Sequence, residues 1–261
     1  MDRIDTIREG LTTLFDEMLV RGKEFKRKAY AGIMEDAREK YKPTVDAIIQ
    51  CYSETPPEEQ KALTEELALV IPEHAYAKMQ SVKRRSRDRM YVDYNMNMAV
   101  YVVPLLNESK QEGCVALTER MVELWNEKGI TNMHLMHSTY DEIAGGFERK
   151  LCYITTAVCA SMGKPDDCHE LEIFRAFRDG YLMASAEGQR LVEEYYEIAP
   201  GIVMLIDMQR DAEEIYERIY RDYLAPCLGL IREGKKEACR EHYVSMMRGL
   251  ENKYLYAQEE R

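Results

Sequence analysis

Apolar residues recur at intervals of three and four along most of this 261-residue chain, and this spacing constrains the fold more than any other feature. Such a stripe covers one face of an α-helix, whereas a half-buried strand would alternate apolar and polar residues. Within residues 4–42 the stripe consists of Ile4, Ile7, Leu11, Leu14, Phe15, Met18 and Leu19. Gly22 weakens this stretch, so we expect either one long helix or two helices that are divided near it.

Prolines are expected to mark helix boundaries, because proline lacks a backbone N–H and its ring clashes with the preceding turn. Pro43 is predicted to lie in the first turn of a helix, and Thr55 is predicted to cap the helix after it. Residues 90–106 are predicted to form a buried helix that is kinked at Pro104, with a strand as the alternative. Pro226 is expected to interrupt the helices of the tail.

These patterns predict an all-α protein, with roughly eight to ten helices in one compact body. Residues 1–139 form an N-terminal helical region in this interpretation, and residues 140–201 form a helical hairpin and the helix that follows it. Residues 202–261 contribute C-terminal packing helices. The sequence contains no internal repeat and no clear linker, so we expect the three regions to share one domain.

Residues 140–162 are predicted to form one helix. The apolar stripe that predicts it consists of Ile143, Phe147, Leu151, Ile154 and Val158. A buried strand at residues 152–158 is the alternative, because that run is rich in β-branched residues. Gly163 is where the helix is expected to stop, and Asp166 or Asp167 is expected to cap the next one.

The next two helices complete this central segment. The apolar stripe of the first of them consists of Leu171, Phe174, Phe177, Tyr181 and Leu182. The following helix is expected to start near Ser185 and to end before Pro200. A turn at residues 163–165 would fold the second helix of the segment back against the first.

The central segment contains three of the seven cysteines and supplies the candidate catalytic residues Cys152, Thr156 and Cys168. Thr156 is included because it lies one helical turn after Cys152, where a hydroxyl can face the sulfur. Cys168 is expected near a helix N-terminus, where free N–H groups favour a thiolate. The negative charges of Asp166 and Asp167 oppose that effect.

A metal site is the second interpretation of the same cysteines. The predicted hairpin places Cys159 opposite Cys168 and His169, and these three side chains could hold a thiolate-bound metal such as zinc or iron. Cys152 is excluded from such a site because it lies roughly 10 Å from Cys159 along a straight helix. Without a metal, the cysteines would be buried core residues that behave as small hydrophobic groups.

Residues 134–142 contain a weaker metal candidate. His134 and His137 would share a face if this stretch were helical, but in a loop their spacing carries little information. Ser138 or Thr139, followed by Asp141 or Glu142, is more simply a helix-start signal.

A longer pattern in the central segment resembles a known family. The residues that carry the resemblance are Cys152-Tyr153-Ile154-Thr155-Thr156-Ala157, the run Phe174-Arg175-Ala176-Phe177-Arg178-Asp179-Gly180-Tyr181-Leu182, Gly188, Tyr195-Tyr196 and Pro200. Their order and spacing are similar to the CFI-box C-terminal domain of bacterial proteins. The longer form here, with Cys159 and the run from Gly163 to Cys168, resembles a variant that is typical of clostridial bacteria.

The resemblance implies a bacterial source and directs attention to Cys152, Arg175, Arg178, Asp179 and Tyr195. It carries no established activity. We therefore treat the arginines, the aspartate and the tyrosine as candidate binding residues, with ion pairs along a helix face as the alternative. The chain departs from the family pattern at Tyr153 and Ala199, and about sixty residues follow the box, so the box is internal here and does not form a C-terminal tag.

Composition narrows the classes of partner. The net charge of −11 argues against general binding to nucleic acid or anionic membranes. Residues 78–90 nevertheless hold six basic side chains and one acid, which we interpret as a solvated face or as partners for the chain's own carboxylates. A contact for a phosphate or an acidic partner is the alternative. No apolar run reaches the ~20 residues that span a bilayer. A protein or peptide partner stays open, as does the oligomeric state.

The odd number of cysteines and the lack of an apolar N-terminal signal favour reduced thiols in the cytoplasm. The sequence thus predicts a cytosolic bacterial protein with a thiol-centred site around Cys152, which serves thiol-dependent catalysis, redox chemistry or metal handling. The first alternative is a helical interaction or accessory module. The second is a metal-binding protein that uses Cys159, Cys168 and His169. Whether the protein is an enzyme stays open.

Overall fold

The structure is a computed structural model that describes residues 3–22, 27–148 and 152–256. Within these ranges all regular secondary structure is helical and no strand is present, so the all-α prediction is confirmed. The described chain has fourteen α-helical segments, more than the eight to ten predicted. The number is larger because π-helical turns and single non-helical residues divide several of the predicted helices.

The chain divides into two compact units, Met1–Gly145 and Gly146–Arg261, which we call unit 1 and unit 2. The predicted boundary after residue 139 lies near this division. The predicted boundary between residues 201 and 202 falls inside one continuous helix, because the apolar face on both sides of Pro200 is buried without a break.

Unit 1 is built from helices that are joined by short turns. Their bounds are α1 Arg3–Arg21, α2 Arg27–Glu54, α3 Pro57–Ala68, α4 Val70–Ser81, α5 Arg87–Asn97, α6 Val103–Asn107, α7 Glu112–Lys128 and α8 Tyr140–Glu148, and the last three residues of α8 belong to unit 2. The predicted division near Gly22 is confirmed, since α1 ends at Arg21. Gly129 ends α7 in the left-handed conformation, with a φ of 57°.

Unit 2 continues with α9 Tyr153–Ser161, α10 His169–Gly180, α11 Ala186–Asp207, α12 Ala212–Ile219, α13 Ala225–Arg232 and α14 Lys236–Glu251. The predicted start of α11 is confirmed, because the Ser185 hydroxyl caps it by accepting a hydrogen bond from Gly188 N at 3.0 Å. The predicted cap of α10 is wrong. Cys168, and neither Asp166 nor Asp167, is the residue at its N-cap.

The helix predicted over residues 140–162 is two helices. Cys152 lies before α9 in a non-helical conformation, with φ −79° and ψ 68°. Residues 149–151, which include Leu151 of the predicted stripe, lie outside the described ranges. Glycine has a low helix propensity, and α8 carries two glycines in its second turn, at 145 and 146. The alternative strand at residues 152–158 is also wrong, because α9 begins at Tyr153.

Prolines mark helix boundaries less often than the sequence suggested. Pro43 lies inside α2, and Pro200 lies inside α11, which continues to Asp207. In α2 the side chains of Tyr41 and Ile48, on either side of the proline, are buried. Tertiary packing of this kind outweighs a missing backbone hydrogen bond.

Thr55 does not cap α3. Its hydroxyl donates instead to the carbonyl oxygen of Cys51 at 2.7 Å, and Pro56 is the N-cap residue. Pro57 supplies the first helical position, where its missing N–H has no intrahelical partner to lose.

Two further prolines follow turns of π-helix. The first π-turn, Met98–Val102, lies between α5 and α6, and Pro104 follows it. The second, Tyr220–Leu224, lies between α12 and α13, and Pro226 follows it. The prediction of a helix over residues 90–106 is therefore confirmed, with a widened turn before the proline. A third π-turn, Asn252–Tyr256, follows α14.

Asparagines organise the buried polar contacts of unit 1. Asn95 is fully buried, and its Oδ1 accepts hydrogen bonds from Trp125 Nε1 at 3.0 Å and from Thr131 Oγ1 at 2.9 Å. Asn97 Nδ2 donates to the carbonyl oxygen of Phe15 at 2.8 Å. These bonds connect α5 to α1, to α7 and to the loop after α7.

The basic stretch pairs in part with the chain's own carboxylates, as one interpretation of the sequence expected. Lys78 lies 2.7 Å from Asp16, and Arg89 lies 3.7 Å from Asp93 on the same helix. Such exposed pairs contribute little to stability but neutralise charge.

Candidate functional site

Cys152 lies at the N-cap of α9 and is 6% exposed. Its carbonyl oxygen accepts a hydrogen bond from Thr156 N at 2.7 Å, the first bond of the helix. The side chain therefore stands at the start of α9, where helical N–H groups are free of intrahelical partners. One of these groups, Ile154 N, donates to the hydroxyl oxygen of Tyr195 at 2.8 Å.

Arg178, on α10, is the charged group that contacts Cys152. Its Nη1 lies 3.7 Å from Cys152 Sγ and donates to the hydroxyl of Tyr196 at 3.0 Å. Its Nε and Nη2 donate to the two carboxylate oxygens of Asp179 at 2.7 and 2.9 Å. This fork holds the guanidinium plane in one orientation, so three candidate residues, Cys152, Arg178 and Asp179, meet in space.

Burial and charge act in opposite directions on the Cys152 thiol. Burial raises its pKa, and this is the largest effect. The positive charges of Arg178 and Arg175 lower the pKa in part, whereas Asp179 and Asp166 raise it. Since the net shift is upward, the side chain is a protonated thiol at neutral pH.

Phenol groups form the other side of the site. Tyr195 is buried beside Tyr243 of α14, with ring centroids 6.0 Å apart. The hydroxyl of Tyr243 also lies 3.3 Å from Thr155 Oγ1. Burial raises the pKa of Tyr195 far above that of a free tyrosine, so its hydroxyl stays protonated. Tyr195 thereby links the first turn of α9 to α14.

A cavity of about 50 Å³ lies among these elements. Cys152 at the N-cap of α9, residues of α10, α11 and α14, and one residue of the short 3₁₀ turn after α10 line it: Cys152, Phe174, Phe177, Arg178, Leu182, Leu191, Val192, Tyr195, Arg240, Tyr243, Val244 and Met247. The wall is mostly apolar, and the thiol and two guanidinium groups are its reactive or charged members. Arg240 is paired with Glu187 and Glu237, which balance its charge.

Two candidate residues occupy other positions. Arg175 donates to the carbonyl oxygen and to Oδ1 of Asp166, both at 2.8 Å, and so braces the turn before α10. Thr156 Oγ1 is buried without a hydrogen-bond partner among the described residues. The hydrogen bond to the Cys152 sulfur, for which Thr156 was chosen, is therefore not formed in this structure.

Cys159 and Cys168 meet as the hairpin predicted, and their thiols are neighbours. Burial, and then the neighbouring Cys168 thiol, raise the pKa of Cys159 to about 12. The Cys168 thiol also lies near the carboxylate of Glu170, and that carboxylate pairs with Lys164. The pKa of Glu170 is lowered, chiefly by its bond to Lys164.

The third residue of the predicted metal site, His169, is the first residue of α10 and is exposed. The described residues contain no group of three or more histidine, cysteine, aspartate or glutamate side chains arranged to hold a metal ion. His134 and His137 lie in the extended loop before α8, where His137 Nε2 is 3.0 Å from Thr118 Oγ1. The structure therefore brings two of the three predicted ligands together, and a metal there stays a prediction.

Sequence reasoning missed several members of the site. Tyr243 and Arg240 lie more than sixty residues beyond Arg178, on a helix that was interpreted only as packing, and no local pattern connects them to Cys152. A second thiol pair was also missed. Cys227 and Cys239 are both fully buried, and Cys227 Sγ lies 3.8 Å from the carbonyl oxygen of Cys239.

Comparison with known proteins adds no relative. The chain matches no protein-family profile, no curated protein sequence and no solved structure. Among the described helices, none combines the length and the apolar character that a bilayer crossing requires. The site must therefore be interpreted from its own geometry.

Proposed function

We propose that unit 2 holds a thiol-centred site in which Cys152 reacts with a small, largely apolar electrophile. The observation that carries this proposal is that the Cys152 thiol forms part of the cavity wall while Arg178 contacts it from the side. The sulfur would form a bond to the electrophilic atom, the leaving group on that atom would depart with the electron pair of the bond that breaks, and the thiol proton would pass to solvent. Thiol-dependent chemistry fits better than metal handling, because no third metal ligand accompanies the thiols in the described chain.

The size and lining of the cavity restrict the ligand. A volume of about 50 Å³ holds roughly four water-sized groups. The aromatic and aliphatic side chains of the wall disfavour a charged group, because burial of an unpaired charge is costly. Arg178 and Arg240 already have carboxylate partners, so neither supplies an unbalanced positive charge. The ligand that fits is therefore small and uncharged.

Arg178 has a definite role in this chemistry. The thiolate is the nucleophilic form of cysteine, and burial disfavours it. The guanidinium beside Sγ stabilises the negative charge that forms as the proton leaves. Asp179 and Tyr196 hold Arg178 in position, so they are positioning residues and do not themselves react.

The test compares three methanethiosulfonate reagents on the native protein: the methyl, the 2-aminoethyl and the 2-sulfonatoethyl compounds. Each transfers its thioalkyl group to a thiolate and releases methanesulfinate, and peptide mapping locates the product. We expect the methyl reagent to modify Cys152 about tenfold faster than the charged reagents, because an apolar cavity excludes them. Half-buried Cys51 of unit 1 serves as the reference thiol.

A matched pair of variants tests the role of Arg178. Arg178→Gln should slow the methyl reaction at Cys152 several-fold near neutral pH, because the thiolate loses its positive neighbour. Arg190→Gln, at an exposed position of α11, should leave the rate unchanged. An equal effect of both variants, or none of either, would contradict the role given to Arg178.

The competing function is a helical interaction module whose cysteines are core residues. It is favoured by the burial of five of the seven cysteines, including Cys152. In that case Cys152 would react only as fast as fully buried Cys227, through unfolding. The proposal further places the protein in a reducing cytoplasm, which the odd number of cysteines favours.

A further inference from the structure

The segment between α9 and α10 holds two sulfur atoms in a fixed arrangement. Gly163 ends α9 with a φ of 69°, its N–H donates to the carbonyl oxygen of Ala160 at 2.9 Å, and Lys164 N donates to that of Cys159 at 2.9 Å. This pair of bonds is a Schellman motif. Cys168 N then donates to the carbonyl oxygen of Pro165 at 3.0 Å. The backbones that carry both cysteines are thus tied into one turn.

The side chains of this turn lie next to one another in a series. The thiol of Cys159 lies near the sulfur of Cys168, and the Cys168 thiol lies near the carboxylate of Glu170. Lys164 pairs with that carboxylate and lies 5.1 Å from the centre of the Tyr220 ring. A buried thiol, a partly buried thiol, a carboxylate and an ammonium group therefore follow one another.

The two thiols differ in access. Cys159 is 1% exposed, whereas Cys168 is only partly buried. A reagent from solvent would meet Cys168 first, with Cys159 directly behind it. This order is the one that an exchange reaction requires, in which one sulfur attacks and a second sulfur resolves the product.

We propose that Cys159 and Cys168 form a dithiol site that exchanges with small disulfide molecules. The Cys168 sulfur attacks one sulfur of the disulfide, its proton passes by way of Glu170 to the departing sulfur, and one small thiol leaves. Cys159 then attacks the Cys168 sulfur of the mixed disulfide, and the second small thiol leaves with the Cys159 proton. Two protein S–H bonds and one small S–S bond become one protein S–S bond and two small thiols.

This site is separate from the chemistry proposed for Cys152. Cys152 lies at the start of α9, and Cys159 lies in its last turn. Unit 2 also contains a built-in comparison, because Cys227 and Cys239 are neighbours, with Cys227 Sγ 3.8 Å from the carbonyl oxygen of Cys239, but are fully buried. Contact between thiols alone would make both pairs reactive, whereas a site that requires access through Cys168 makes only the Cys159–Cys168 pair reactive.

The experiment treats the reduced full-length protein with bis(2-hydroxyethyl) disulfide under native conditions and follows intact mass and peptide maps. We expect the wild-type protein to lose two hydrogens and to gain a Cys159–Cys168 cross-link without an adduct. Cys159→Ser should accumulate a stable mixed disulfide at Cys168, because the resolving thiol is absent. Cys168→Ser should form neither product at these positions.

Two variants serve as controls. Glu170→Gln, in the Cys159→Ser background, should lower the rate at which the mixed disulfide forms at Cys168 several-fold. Cys51→Ser should leave the reaction at this turn unchanged. The inference is overturned if Cys159→Ser gains no adduct at Cys168, or if the Cys227–Cys239 bond forms as readily as the Cys159–Cys168 bond. Methanethiosulfonate labelling of Cys152 in the same samples reports separately on the proposed function.

Discussion

The two units are both helical and both bury tyrosines and cysteines, yet different polar groups meet in their interiors. In unit 1 the central buried polar groups are an amide, an indole and a hydroxyl, from Asn95, Trp125 and Thr131. In unit 2 they are thiols and phenols, with Cys152, Tyr195 and Tyr243 close together. Amides and indoles make hydrogen bonds without being nucleophiles or acids near neutral pH, whereas thiols can react. Both units are helical, and the candidate reactive site around Cys152 lies in unit 2.

The largest loss of stability is expected when the buried asparagine of unit 1 is removed. Asn95→Ala should lower the free energy of unfolding by about 3 kcal/mol, because the buried donors of Trp125 and Thr131 both lose their acceptor. Urea unfolding followed by the fluorescence of Trp125, the single tryptophan, measures this change. Asn132→Ala, at an exposed position of the adjacent loop, is the control and should have little effect.

Pulsed alkylation of Cys227 in the same urea series reports on unit 2. If Asn95→Ala left the fluorescence midpoint where it is in the wild-type protein, the hydrogen bonds to Asn95 would not be important for unit 1.

A smaller effect is expected from the phenol of unit 2. Tyr195→Phe should lower the free energy of unfolding by about 2 kcal/mol, because the buried N–H of Ile154 loses its acceptor. Pulsed alkylation of Cys227 as a function of urea measures the loss. Tyr223→Phe is the matched control, since the ring of Tyr223 packs against His242 and the substitution preserves that contact. Equal midpoints for the two variants would contradict a structural role of the Tyr195 hydroxyl.

The same variant should change the response to alkali. The folded pKa of Tyr195 is raised above its ordinary value of 10.0, so only the unfolded chain releases this proton near that pH. The contribution of Tyr195 is therefore complete below about pH 10 and is lost as the pH rises towards the folded pKa. Tyr195→Phe should make the free energy of unfolding fall less steeply between roughly pH 9 and pH 11.

The smallest effects should be equal in the two units, because both use the same kind of helix cap. Thr139 and Glu142 form a capping box at α8, with Thr139 N donating to Glu142 Oε2 at 2.8 Å, and Ser185 caps α11. Thr139→Ala and Ser185→Ala should each lower the free energy of unfolding by about 1 kcal/mol. Thermal unfolding measures both, with exposed Ser245→Ala as the control. A large difference between the two losses of unfolding free energy would show that one cap does more than satisfy an N–H group.

Local physics explains which features the sequence could predict. The stripe of α1, the glycine end at Gly163 and the helix-start signal at Thr139 depend on neighbouring residues, and the structure has all of them. The meeting of Cys159 with Cys168 is also local, because one glycine turn separates them.

Non-local packing explains what was missed. Pro43 and Pro200 lie inside helices because the buried faces on both sides continue across them, which no proline rule can anticipate. The non-helical start of α9 at Cys152 could not be distinguished from a helix by the spacing of apolar residues. The contact of Tyr195 with Tyr243 joins helices that are distant in sequence, and the residue types alone do not indicate it.

The π-turn at Met98–Val102 has a consequence for how this helix could gain or lose residues. A π-turn holds one residue more than an α-helical turn, and all five residues of this one are buried. Removing a residue elsewhere in α5 or α6 would rotate all later side chains by about 100° around the helix. Removing one within the π-turn would restore the α-helical repeat and leave the faces before and after it aligned. Single-residue deletions should therefore be tolerated at this buried turn better than in the regular helix on either side, although burial alone would suggest the opposite.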